Sequence, residues 1–138
     1  DDSLGEHQSR LECGARMNEL SKRQVGEWGE TVAADYLVQN GYDVIARNLS
    51  CFLGEIDLVA TRGEHLFFVE IKLRLNDEFG SALEAVSPAK QGKIRRVAEY
   101  FLVQKSEWRD LIPFFSVVAI DALEDGVLNI EFLPDAFT

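Results

Sequence analysis

The chain is short of the residues from which soft metal sites and covalent staples are made. Two cysteines, Cys13 and Cys51, are too few for a disulfide framework and lack any metal-ligand spacing, which points to a reducing, cytoplasmic location. Two histidines, His7 and His65, are too little imidazole for a histidine-rich metal site. No apolar run approaches the length that crosses a bilayer, and the acidic, polar start has no apolar core of a secretory signal, so no membrane partner is expected. Bases are also scarce. Fourteen Lys and Arg against 24 Asp and Glu give a net charge of −10, which argues against an electrostatic footprint for nucleic acid. The deficit is uneven, because residues 70–105 carry seven bases and five acids while residues 106–138 carry one base and seven acids. A solvated helix face explains the basic segment as well as a binding surface does.

What is present is a hairpin with a legible register. In the stretch Gly54–Arg74, two apolar runs, Glu55–Arg62 and His65–Leu73, flank Gly63-Glu64, and glycine at the first loop position suits a two-residue type II′ turn. Pairing Arg62 with His65 places Asp57 opposite Glu70 and Glu55 opposite Lys72. By alternation all four fall on one face, and Ile56, Leu58, Ala60, Phe67, Val69, Ile71 and Leu73 on the other, so one face is expected to be core and the other charged. Two carboxylates opposed across a ladder repel each other unless a positive charge sits between them.

The 138 residues read as one domain over residues 22–138, preceded by an extension, residues 1–21, expected to be partly disordered or weakly helical. Val25, Trp28, Val32, Ala33, Tyr36 and Leu37 form a helical stripe over Val25–Asn40, and Gly41 stops it. Glu30 lies on the side of Ala33, Ala34 and Leu37; periodicity alone makes it an edge residue near the helix start, where the dipole tolerates an acid. Tyr42–Leu49 reads as a strand. Glu78–Ser87 reads as a loop with one helical turn. Ser87 and Pro88 mark the N-cap and first residue of a second helix to about Gln104. Phe114–Asp121 and Val127–Phe132 read as strands joined at Asp125-Gly126, and Leu133–Thr138, with Pro134, as an irregular tail. The order α-β-β-β-α-β-β predicts an α/β fold, a central mixed sheet flanked by helices, in which the helix between the third and fourth strands acts as a crossover and makes them parallel if they are neighbours.

Asp57, twelve residues, then Glu70-x-Lys72 is a pattern that hard-cation chemistry can use. Mg²⁺ takes a few carboxylate oxygens, keeps several waters and is completed by phosphate; Asp57, Glu70 and the Ile71 carbonyl are candidate donors. Lys72 would orient a water or offset charge on a phosphoryl transition state. Glu30 is a candidate to reach the same ion or its waters from the helix, and Gln91 to hold a phosphate or a water. An ordinary reading accompanies each residue. Lys72 and Glu55 make a cross-strand ion pair of small worth, Asp57 and Glu70 each find an arginine such as Arg74 or Arg95, and Arg74, Lys90, Lys93 and Arg96 are solvated.

A set of short blocks carries a family resemblance: Gly26-Glu27-Trp28-Gly29-Glu30, Gly41-Tyr42, Ala46-Arg47-Asn48, Gly54-Glu55-Ile56-Asp57-Leu58, Phe68-Val69-Glu70-Ile71-Lys72 with Arg74, Phe79-Gly80-Ser81, Glu84-Ala85-Val86, Lys90-Gln91 and Ala136-Phe137. Over roughly residues 22–137 the chain resembles the YraN-like family of bacterial proteins, placed with the PD-(D/E)XK nucleases and similar in core to archaeal Holliday junction resolvases. The resemblance implies a restriction endonuclease-like core and Mg²⁺- or Mn²⁺-dependent hydrolysis of DNA, branched recombination or repair structures included, by a protein that could act as a homodimer. It makes Glu30 the helix carboxylate, Asp57 and Glu70 the metal ligands, Lys72 the catalytic lysine and Gln91 a supporting residue; Arg74, Lys90, Lys93 and Arg96 are candidates for nucleic-acid backbone contacts from the residues alone. Two positions depart from the pattern. Ile56 stands where the superfamily's name has Pro, and Leu73 where relatives often carry a small polar residue. Two other functions compete: a catalytically silent nucleic-acid-binding or repair-accessory protein on the same fold, and a protein-interaction domain using the acidic C-terminal third.

Overall fold

The computed structural model describes residues 7–12, 21–75, 82–122 and 127–138. Strands β2 (Asp43–Cys51), β3 (Gly54–Arg62), β4 (His65–Leu75), β5 (Ile112–Ala122) and β6 (Val127–Phe137) form the core sheet, and β1 (His7–Glu12) adds a sixth strand at one edge, giving the order β1-β6-β5-β4-β3-β2. Among the described strands only β4 and β5 pair in parallel. The crossover joining them is helix α2 (Pro88–Gln104), as the element order predicts. Helix α1 (Lys22–Gln39) packs on the opposite face. No helix among the described residues is long and apolar enough to cross a membrane.

Local chemistry sets the helix ends. Ser21 caps α1 in a reciprocal box with Gln24, which starts the helix three residues before the apolar stripe. At its other end Gly41, at φ +88°, lets the Tyr42 N–H reach the Leu37 carbonyl and its own N–H reach Val38, a pair of bonds that closes the last turn. Ser87 caps α2 by accepting from the Lys90 N–H, with Pro88 at the first helical position. The loop before it contains a 3-10 turn, Leu83–Ala85.

The sheet is buried on both faces. Leu58, Ala60, Phe67, Val69, Val118 and Ile120 pack under α1, and Val59, Leu66, Phe68, Val117 and Ala119 under α2. This corrects the expectation of one core face and one charged face on the central hairpin. The α2 crossover covers the second face, so β4 carries a continuous apolar run, Leu66–Val69, as central parallel strands do. Charge is confined to the end of that face.

Three further expectations change. Residues 7–12, expected to be disordered or weakly helical, run as β1 antiparallel to β6, a pairing made through the backbone that polar sequence without periodicity does not announce. The tail from Leu133, expected to be irregular, continues β6 to Phe137. Pro134 is accommodated because the register with β5 shifts between Phe115 and Val117, and the buried Ser116 hydroxyl donates to the Pro134 carbonyl at 2.6 Å. A second register shift lies between Val44 and Ala46 in β2. The predicted Asp125-Gly126 turn and the Phe79-Gly80-Ser81 block lie outside the described residues, as does Cys13.

Candidate metal and phosphodiester site

The β3–β4 hairpin has the expected register from Arg62↔His65 to Leu58↔Val69, turned by Gly63 at φ +59°. The ladder ends there. The next β4 amide on the β3 side, that of Ile71, donates instead to Asp57 Oδ2 at 2.8 Å, while β3 stays paired with β2 as far as Cys51↔Gly54. The two-residue alternation also breaks at this point, since Ile56 packs under α2 with Val59 and not under α1 with Leu58. β3 therefore parts from β4 at Asp57. Its carboxylate occupies the gap.

Glu70 faces this gap from β4. Burial, then the neighbouring Asp57 charge and a hydrogen bond shared with that carboxylate, push the Glu70 carboxyl up to about 8, and the Lys90 and Lys72 ammonium groups pull the other way. Lys90 Nζ lies 3.7 Å from Glu70 Oε2, at the N-terminal turn of α2. Lys72 is exposed, two residues beyond Glu70 and hence on the same side of β4. Asp57, Glu70 and Lys72 are thus brought together at one end of the sheet, and Glu55, the expected partner of Lys72, lies beyond the end of the ladder.

Glu30 takes a different place. Its side chain is 14% exposed, and Oε1 accepts from Arg47 Nε at 3.0 Å and from Asn48 Nδ2 at 2.9 Å. Asn48 sits at φ +51°, a left-handed conformation that asparagine tolerates better than most residues. It lies between Arg47 and Leu49, whose partners are Leu58 and Ile56, and therefore stands beside Asp57 on the adjoining strand. The helix carboxylate is delivered one strand away from the pair and neutralised there by Arg47. Among the described residues no group of three or more His, Cys, Asp or Glu forms a metal cluster, so the acidic constellation is the Asp57–Glu70 pair with Glu30 outside it. Arg47 and Asn48 were visible only as part of a block that carries the family resemblance; the Glu30 contact joins residues 17 and 18 apart, which no local periodicity signals.

Gln91 is half-buried and donates from Nε2 to the Val86 carbonyl at 3.1 Å, tying the first turn of α2 to the 3-10 turn. Arg74 is a correction. Expected at a nucleic-acid surface, it is 7% exposed and forks onto Asp121 of β5 at 2.6 and 3.1 Å, its partner in the parallel register. Buried guanidinium is stable there because the carboxylate matches its two donors. Arg95 donates to the Thr138 carbonyl, so neither arginine serves the carboxylate pair. Lys90, Lys93 and Arg96 are exposed on α2.

The model of a family described as "Uncharacterised protein family UPF0102" matches residues 29–120, a span that includes Glu30, Asp57, Glu70, Lys72 and Gln91. The chain is similar to a UPF0102 protein of Caldicellulosiruptor saccharolyticus, 38% identical over 119 residues that cover 86% of this chain and all of the relative. It is 36% identical over 118 residues to one from Dictyoglomus turgidum, again over 86% of this chain and the whole relative, and 39% identical over 115 residues to one from Syntrophomonas wolfei, over 83% and 98%.

Proposed function

We propose that this chain, which belongs to the UPF0102 family, is a metal-dependent endonuclease that hydrolyses phosphodiester bonds in DNA, branched structures included, on a core of the restriction endonuclease-like kind. The observation that carries the reading is the half-buried Asp57–Glu70 pair at the point where β3 leaves β4, with Glu70 holding its proton up to about 8. A fold gains nothing from two carboxylates sharing one proton at a partly buried strand end. A cation in place of that proton resolves the repulsion.

The donor set fits a hard divalent ion, Mg²⁺ or Mn²⁺, for which one or two carboxylates with waters and substrate phosphate suffice. Asp57 and Glu70 would hold it. The Ile71 carbonyl is a third candidate, because in a strand the N–H and C=O of one residue point to the same neighbour and the Ile71 N–H already meets Asp57. When bound, such an ion polarises a phosphate oxygen and makes hydroxide available near neutral pH. Lys72, exposed beside Glu70, offsets negative charge at the phosphate and orients a water. Glu30, fixed by Arg47 and Asn48, holds the β2 strand beside Asp57, and Gln91 holds the start of α2 against the 3-10 turn. Lys90, Lys93 and Arg96 supply the backbone contacts.

One observation favours a second reading, a nucleic-acid-binding protein that does not turn over: the chain itself already places a cation, Lys90 Nζ, 3.7 Å from Glu70. Incubation of plasmid, single-stranded and four-way-junction DNA with Mg²⁺ or Mn²⁺ separates the two. Cleavage is expected, with Asp57→Ala and Lys72→Ala each reducing it more than about 100-fold at unchanged circular dichroism. No cleavage of any substrate, together with no heat of metal binding by calorimetry, removes the enzyme and leaves the binding protein.

A further inference from the structure

The two-residue loop between β2 and β3, Phe52-Leu53, carries a feature that neither the core nor the carboxylate site uses. Phe52 is 83% exposed, the most exposed large apolar side chain among the described residues. It is not loose, because its ring meets Tyr100 of α2 edge to face at 5.5 Å between centroids. The loop is pinned to the helix at Gly54. A Cβ added there would lie 3.0 Å from Lys93 Cε and 3.2 Å from Val97 Cγ2, and φ is +146°, so only glycine lets the hairpin end sit this close. Beside the loop, Leu53, Arg96, Glu99, Tyr100, Val103 and Gln104 line an open groove of about 410 Å³, in which Arg96 offsets the one acid, and Val103 is itself 74% exposed.

The groove is in line with the candidate site. Along one stripe of α2, Lys90 reaches Glu70, Lys93 lies against Gly54 one turn on, and Arg96, Tyr100 and Val103 follow at spacings of three and four residues. From Lys90 to Tyr100 the helix rises about 15 Å, roughly four base steps of one DNA strand. Basic side chains thus lead from the carboxylate pair to an exposed aromatic platform. They belong to the one segment, residues 70–105, in which bases outnumber acids. That charge suits a phosphate backbone, and an aromatic face held at its end suits a base that has left its stack.

We infer that Phe52 and Tyr100, with Lys93 and Arg96 beside them, bind an unpaired nucleobase about four nucleotides from the phosphate at Asp57 and Glu70, so that the protein selects DNA with a locally unstacked strand. The inference rests on the nucleic-acid reading above and deepens it from DNA in general to DNA with unpaired bases.

Binding without metal tests it apart from cleavage. Wild type, Phe52→Ala and Phe52→Trp are titrated by fluorescence anisotropy, in EDTA at fixed low salt, with a plain duplex, the same duplex with a three-nucleotide internal loop, and a single strand. Wild type is expected to prefer the looped duplex and single strand. Phe52→Ala should lose about tenfold on those two and nothing on the plain duplex, while Phe52→Trp retains the preference and its indole emission is quenched on binding. Equal affinity of wild type for all three DNAs, or a preference that Phe52→Ala leaves intact, overturns the stacking site without touching the nuclease reading. A Phe52→Ala variant that changes sedimentation and not DNA affinity assigns the patch to a second copy of the chain and overturns it too. Absence of binding to any DNA sinks both readings, whereas selective binding with no cleavage in Mg²⁺ or Mn²⁺ upholds this one and sinks only catalysis.

Discussion

Strand β4 carries two charged side chains four residues apart on the same side, and the sheet treats them oppositely. Arg74 meets Asp121 on the parallel neighbour β5, a buried fork of opposite charges with both short contacts made. Glu70 meets Asp57 on the antiparallel neighbour β3, a pair of like charges in which one partner keeps its proton up to about 8. The first pair is complete in the folded chain. The second stays in deficit even with Lys90 3.7 Å from Glu70, and is completed only by something added, a proton or a metal ion. A buried pair that satisfies itself is structural, and one that the fold leaves in deficit marks where a ligand belongs.

The sharpest way to break this contrast is to put the complete pair into deficit. Arg74→Ala leaves Asp121 partly buried and uncompensated, and is expected to cost about 3–5 kcal/mol in urea unfolding. The double variant Arg74→Met with Asp121→Leu should recover most of that loss, since an apolar replacement of a buried pair is often neutral. A loss as large in the double variant would mean that the pair holds more than itself.

The deficient pair makes a pH prediction of the opposite sense. An unfolded glutamate ionises near 4.5, and folded Glu70 keeps its proton to about 8. Between these values the folded state binds more protons, so stability falls as pH rises from about 4.5 to about 8. Glu70→Gln should flatten this slope and be the more stable protein at pH 8.5, by on the order of 1–3 kcal/mol without metal. Saturating Mg²⁺ should close the difference by stabilising the wild type alone. Thermal unfolding at pH 5 and pH 8.5, with and without Mg²⁺, reads all four arms, and a wild type whose stability is flat over that window would show that Glu70 is ionised throughout.

The smallest effect belongs to Lys90. Its removal by Lys90→Ala takes away a favourable neighbour of the ionised Glu70, so the Glu70 titration midpoint should move further upward in a carboxyl-labelled NMR titration, with little change in melting temperature because the lysine is half in solvent. A downward movement would mean that Lys90 contacts Glu70 only when it is protonated.

How far the sequence could be read follows the same division. The Asp57–Glu70 opposition was legible because a two-residue turn fixes register over a short loop, and the residues are 13 apart in the chain. The Arg74–Asp121 fork was not, because it joins residues 47 apart through a parallel pairing that only the crossover creates. Helix α2 was legible from Ser87-Pro88 and its stripe. Its burial of the hairpin's second face was also written in the sequence, in Val59, Leu66 and Phe68 on the side read as charged, but Glu55, Asp57, Glu70 and Lys72 at the other end of that side outweighed them. Glu30 was drawn towards the site by its block of neighbours, and the structure places it beside that site on the arm of Arg47. Strand β1, with Leu11 its one apolar residue, left no alternation to read.

The irregularities of β2 bear on association as well as on Glu30. β2 is the open edge of the sheet, and an edge with a regular row of unpaired amides and carbonyls invites another chain to add a strand. Here the register slips between Val44 and Ala46, and Asn48 turns left-handed three residues later. A guest strand would find its hydrogen-bonding row interrupted twice within five residues. This edge is therefore poorly suited to strand addition, to domain exchange and to the growth of sheet-based aggregates, and a second molecule would have to approach through side chains instead.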